Sequence, residues 1–229
     1  MTTPPDPPDS DRFESQLTGV LSTDGIISGR VENRAYGQLE VGMRAMLQNR
    51  PDSTQREAML RNLAASIAPG AKGDSLVVFD GKDFKARPVM SFVIRDGRAA
   101  QQSGDVDILA VGDRSQVFTR MADEIEAHGP RHQPIDAAQL MPQARFEIDV
   151  RITLPDGWHA RLPSSVNATS VFGHYEVIYR QDGRDLVIIH RTRGAKGIYP
   201  KERVGDLVSW LRECAKDRVP FIVLERRAS

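Results

Sequence analysis

The chain has 229 residues, and its 31 Lys plus Arg balance 31 Asp plus Glu, so the formal net charge is zero. No overall field draws it to nucleic acid or to an anionic membrane, and no apolar run approaches the ~20 residues of a membrane helix. Cys214 is the single cysteine, which excludes an intramolecular disulfide framework, and 40% hydrophobic with 27% charged residues is the balance of an ordinary globular chain of one large or two small domains.

The first stretch, residues 1–12, is polar and proline-rich (Pro4, Pro5, Pro7, Pro8) and reads as a disordered tail. It carries no basic and apolar signal region, so the cytoplasm is the default compartment, or the periplasm if the start is misassigned. Residues 13–112 read as a β-rich region with one helix. Two Leu/Val/Ile-rich runs flank Asp24-Gly25, a pair that tolerates a tight hairpin turn. Leu39, Val41, Met43, Ala45 and Leu47 then alternate with polar residues, a period of two that predicts a strand. The period changes at Ser53: Ala58, Leu60, Leu63, Ala64 and Ile67 share a helical face, with Ser53 or Thr54 as cap, Glu57 as its capping-box partner, and Pro69-Gly70 as the stop. "SLVVFDG", "PVMSFVIRDG" and "DVDILAV" are three further strands.

Residues 113–142 read as a connecting segment in which "SQVFTRMADEIEAHG" forms a short helix and the proline-rich part after it is extended. Residues 143–229 read as a C-terminal β-domain with a terminal helix and strand. The strand signal returns from Ala144, with Phe146, Ile148, Val150 and Ile152 inward against Glu147, Asp149 and Arg151. A second hairpin turns at Gln181-Asp182-Gly183, a helix starts near Pro200 with a stripe of Val204, Leu207, Val208 and Leu211, and "PFIVLERR" closes the chain as a strand. The expected class is mainly β: β-sandwich-like antiparallel sheets with two or three peripheral helices.

Few side chains suggest chemistry. Cys214 falls late in an amphipathic helix, away from a helix N-terminus where the dipole would stabilise a thiolate, and reads as a packed small residue. His128 and His132 have metal-like spacing, but Gly129 and Pro130 break the helix that this spacing needs. His159, His174 and His190 fall on strands, which leaves a metal-dependent hydrolase as an alternative. Arg184, Arg191, Arg193 and Lys196 read as one solvated sheet face or edge. Asn167-Ala168-Thr169 is a glycosylation sequon that matters only in a eukaryotic secretory setting. No Walker or dinucleotide loop opens a helix after a strand. The residues therefore assign no catalytic, cofactor-binding or metal site, and no cofactor.

The C-terminal third carries Leu154-Pro155-Asp156-Gly157-Trp158, Leu162-Pro163, Phe172-Gly173 before Tyr175, the hairpin at Asp182-Gly183, Ile198-Tyr199-Pro200 and the closing strand. With these residues it resembles the last, non-catalytic β-domain of bacterial transglutaminase-like multidomain proteins, the module that follows the papain-like core. Upstream, Asp24-Gly25, Gly29, Tyr36-Gly37 and Arg44 are similar to the strands just after that core, so the likeness spans most of residues 15–227. The family core carries a catalytic Cys, His and Asp, and no segment here matches it. The resemblance implies a bacterial, non-catalytic accessory module of unknown function that supports a transglutaminase-like catalytic domain in cis or in trans. Its implied partner is that domain or another protein. The rival is an independent carbohydrate- or protein-binding module, for which an exposed Trp158 or Trp210 would be the sign.

Overall fold

Alternating apolar and polar residues make the long strands, and the pairing register turns their main apolar sets to one side. The computed structural model describes residues 11–47, 52–110, 115–129, 132–140 and 145–226. Most of the expected tail, and parts of the expected connecting segment, lie outside the described residues. Strands β1 (Arg12–Leu21) and β2 (Ile26–Tyr36) form the first hairpin, closed by Asp24-Gly25. Gly25 has φ +76°, and a Cβ there would come within 2.2 Å of the Ala100 carbonyl oxygen, so this turn requires glycine.

The segment after Tyr36 is a helix, α1 (Gln38–Leu47), not the strand that its alternation predicts. Gly37 turns the chain at φ +63°, and the Asp11 carboxylate accepts the Gln38 N–H at 2.7 Å, an end cap supplied from outside the segment. Leu, Glu, Met, Arg and Ala are strong helix formers, and Glu40 pairs with Arg44 one turn later. Leu39 and Met43, four apart, are half-buried, whereas Val41 and Ala45 are exposed. The same residues thus fit both periods, and helix propensity with an external cap decides.

Helix α2 (Ser53–Ile67) follows as expected, but its cap is Asp52, with Gln55 completing the capping box. Strands β3 (Lys72–Val78) and β4 (Val89–Arg98) return beside β2. A Cβ on Gly73 would meet Leu60 of α2 at 2.5 Å, so the bare backbone at that position lets α2 lie close on the sheet. Strands β5 (Ala100–Ser103) and β6 (Val106–Ala110), helix α3 (Ser115–Ala127) and the short β7 (Ile135–Asp136) lead to β8 (Arg145–Thr153). Then come β9 (Trp158–Arg161), β10 (Val166–Ser170), β11 (Gly173–Asp182), β12 (Asp185–Gly194) and β13 (Ile198–Tyr199). Pro200 precedes a 3-10 turn, after which α4 (Val204–Cys214) and β14 (Phe221–Arg226) end the described chain.

The main sheet has eight strands in the order β10-β11-β12-β8-β1-β2-β4-β3, and a smaller one has the order β5-β6-β14-β9. All neighbours in both are antiparallel except β1 and β8, which run parallel from Arg12↔Arg145 to Val20↔Thr153. This pair joins strands from the two halves of the chain into one sheet. Four α-helices are present among the described residues, one more than the sequence leads one to expect, and α1 is the addition. The molecule is mainly β, as expected.

The inward face of the large sheet carries Leu17, Val31, Phe92, Ile152, Ile188, Val177 and Tyr175, which share one core with Leu109, Ile222 and Leu224 of the small sheet. Ala64 of α2, Phe118 and Ala122 of α3, and Leu207 and Leu211 of α4 complete it. Each large apolar side chain buried there stabilises the fold by roughly 1.5–3 kcal/mol. The stripe expected on α4 packs inward, and Trp210 beside it donates its indole N–H to the Ala168 carbonyl at 3.1 Å.

Candidate functional site

The register of the large sheet sorts its polar side chains onto the face opposite the core. One row reads Tyr36, Arg12, Arg145, Arg193, His174, and the next Arg34, Glu14, Glu147, Arg191, Glu176. Charges of opposite sign meet across strands, where Arg191 bridges Glu147 and Glu176 and Arg151 pairs with Asp185; within β1, Arg12 pairs with Glu14 and stacks on Tyr36 of β2. The expected solvated basic strip is therefore half right. Arg191 and Arg193 share this face, whereas Arg184 lies at the β11–β12 turn and binds Asp156 and the Leu154 carbonyl. Asp149 is the carboxylate with an unmet need. Its Oδ1 is buried without a hydrogen-bond partner, and burial, helped by Glu147, raises its pKa.

Among the charged groups buried in the described residues, Asp107 pairs with Arg226, while Asp217 and Arg44 each organise a connection. Asp217, between α4 and β14, is 2% exposed. Tyr175 and Tyr179 lie four apart on β11, so both point inward, and both donate hydroxyls to Asp217: Tyr179 at 2.6 Å to Oδ1, Tyr175 to Oδ2. His190 of β12 meets the Tyr179 ring edge-on and places Nδ1 3.9 Å from Oδ2. The Asp217 N–H donates to the Cys214 carbonyl, so the same residue closes α4. His190 also borders an apolar cleft of about 230 Å³ lined by Phe13, Leu17, Ile148, Val150 and Ile188.

Arg44, on α1, is 5% exposed. Its Nε donates to Glu40 Oε1 at 2.7 Å, Nη1 to the Asp83 carbonyl at 2.8 Å and Nη2 to the Ala86 carbonyl at 2.7 Å. The rings of Phe79 and Phe84 lie 5.2 and 5.5 Å from its guanidinium carbon. The guanidinium thereby pins the 79–88 loop between β3 and β4.

Cys214 is fully buried at the end of α4, and burial pushes its thiol up to about 12. The histidines do not converge. His190 faces the core and His174 the opposite side of the sheet, bonded to Thr169, while His159 belongs to the small sheet, opposite Glu225. His128 closes α3 against the Glu124 carbonyl, and His132 is exposed. Among the described residues no group of three His, Cys, Asp or Glu side chains is placed to hold a metal ion. Trp158 and Trp210 are both buried, the first under Arg226, which is bound to Asp107. Asn167 of the sequon is exposed on the edge strand β10.

Sequence reasoning passed over Asp217, and placed Arg44 only within the family resemblance, with no role as a loop anchor. Tyr175 and Tyr179 at like parity on a strand were a signal, but their acceptor lies about 40 positions on, in a turn that no spacing rule reaches. No family model, curated protein or solved structure matches the chain. Among the described residues no helix is long and apolar enough to cross a membrane.

Proposed function

We propose that this chain is a non-catalytic accessory module that supports a transglutaminase-like catalytic domain, in cis or in trans. The observation that carries the reading is the state of Cys214. A thiol nucleophile needs solvent access, a neighbouring imidazole and a lowered pKa. Cys214 is fully buried with its pKa pushed up to about 12. The strand, turn and helix signatures that resemble the family's last β-domain supply the second support. The polar groups of the interior also suit a scaffold: Asp217 and Arg44 are spent on tyrosine hydroxyls and backbone carbonyls that fix connections. The carbohydrate-binding rival loses its aromatic platform, because both tryptophans are in the core.

Amidase, protease and amine-crosslinking assays on the purified chain test the reading, together with a binding titration against a Cys/His/Asp transglutaminase-like domain encoded beside it. The expected result is no activity from the chain alone, and saturable binding. Turnover that disappears in Cys214→Ala overturns the proposal.

A further inference from the structure

Phe84 is 81% exposed, the most exposed large hydrophobic side chain among the described residues. It does not hang on a loose loop. Arg44 fixes the backbone on both sides of it through the Asp83 and Ala86 carbonyls, and one side of its ring lies toward the guanidinium. Two further exposed apolar side chains belong to the elements that hold or enter the loop. Val77, on the strand that enters the loop, and Val41, one helical turn before Arg44, are each 59% exposed.

The charges around Phe84 are sorted as well. Asp80 turns Oδ1 back to accept the Lys82 N–H at 3.0 Å, and Asp83 does the same for the Lys85 N–H at 2.9 Å. The two carboxylates of the loop bond to its own backbone and keep their charge, so Lys82, Lys85 and Arg87 outnumber Asp80 and Asp83 by one. Lys82, Lys85 and Arg87 are exposed. The outcome is a pre-ordered projection that presents the Phe84 ring, with three exposed cations in the same loop.

We propose that the 79–88 loop, centred on Phe84, is a peripheral docking point for an anionic lipid bilayer surface. An exposed aromatic ring suits the boundary between headgroups and acyl chains, and flanking Lys and Arg side chains are drawn to anionic headgroups. A bilayer accepts an apolar side chain on a projection without a matching pocket, which fits the exposed Phe84 ring. Ordering the loop beforehand lowers the entropy lost on contact. The attraction is local, since the whole chain has no net charge, so it weakens with salt. This inference is independent of the accessory role proposed above.

Flotation of the full chain with vesicles of equal parts phosphatidylcholine and phosphatidylglycerol, at low salt, tests it. The chain floats with these vesicles and not with phosphatidylcholine alone. Phe84→Ser lowers the bound fraction about tenfold, the effect of losing one buried aromatic side chain, and Lys82→Glu combined with Lys85→Glu abolishes flotation. Phe84→Trp retains binding, and its emission shifts to the blue on adding vesicles; Trp158 and Trp210 are buried and do not contribute a shift. Thermal unfolding of each variant reports whether the fold is intact, and the two charge changes keep the test valid if Phe84→Ser unfolds. Absence of flotation by the unaltered chain overturns the proposal, as does flotation of a folded Phe84→Ser variant at the original level. Binding to polyglutamate but not to vesicles overturns it too, and assigns the loop to an acidic protein.

Discussion

Asp217 and Arg44 are both buried charges that tie down a connection, but their surroundings differ. Asp217 lies among side chains of β11 and β12 and accepts from two phenols, so its partners are themselves part of the core. Arg44 lies at the rim, donates to two backbone carbonyls, and has Phe84 on its outer side. The first group closes the interior through side chains of the core. The second orders a surface feature that the core does not need. A buried charge therefore marks rigidity in both places, and what it holds decides whether that rigidity serves packing or contact.

This contrast is open to direct attack. Asp217→Ala removes the acceptor of two buried hydroxyls, and urea unfolding is expected to show a loss of roughly 3–5 kcal/mol. A loss under ~1 kcal/mol would mean that the network is incidental to stability. Arg44→Met keeps the stem but strips the donors, at a cost of roughly 1–2 kcal/mol. Hydrogen exchange sharpens the comparison. In Arg44→Met the amides of residues 79–88 lose protection while those of β11 keep theirs; in Asp217→Ala protection falls across β11, β12 and α4. Equal global losses in both variants would dissolve the distinction.

The smallest effect has the opposite sign. Asp149→Asn removes a half-buried carboxylate whose folded-state pKa is raised by burial, and is expected to stabilise by roughly 0.5 kcal/mol at neutral pH. The folded state holds this proton more tightly than the unfolded one. The Asp149 contribution therefore becomes less unfavourable as pH falls through its raised folded pKa, and the advantage of the Asn variant fades toward the ordinary aspartate range. Thermal melts at pH 7 and at pH 4 check the trend, and a constant difference between the two proteins would contradict it.

The large sheet was legible because its strands alternate cleanly: Phe146, Ile148, Val150 and Ile152 show the period that the register uses. Helix α4 was legible from its stripe, and the packed position of Cys214 from its place late in that helix. Helix α1 was not, since Leu39, Val41 and Met43 satisfy a strand period, and the cap that settles the matter comes from Asp11 through a long-range contact. The cap of α2 was misplaced by one or two positions for a related reason: Asp52, Ser53 and Thr54 are all capable, and only Gln55 facing back selects Asp52. Asp217, Arg44 and the Phe84 loop depend on tertiary neighbours 38 to 42 positions away, a range at which local pattern carries no information.

A non-catalytic role requires an interior without a reactive thiol. The rate at which Cys214 of the native chain reacts with iodoacetamide between pH 7 and pH 9 tests this most directly. The expected result is negligible modification until the chain is unfolded, as a buried thiol with a pKa pushed up to about 12 requires. Rapid alkylation of the folded protein near neutral pH, blocking any amidase or crosslinking turnover in step, would contradict it.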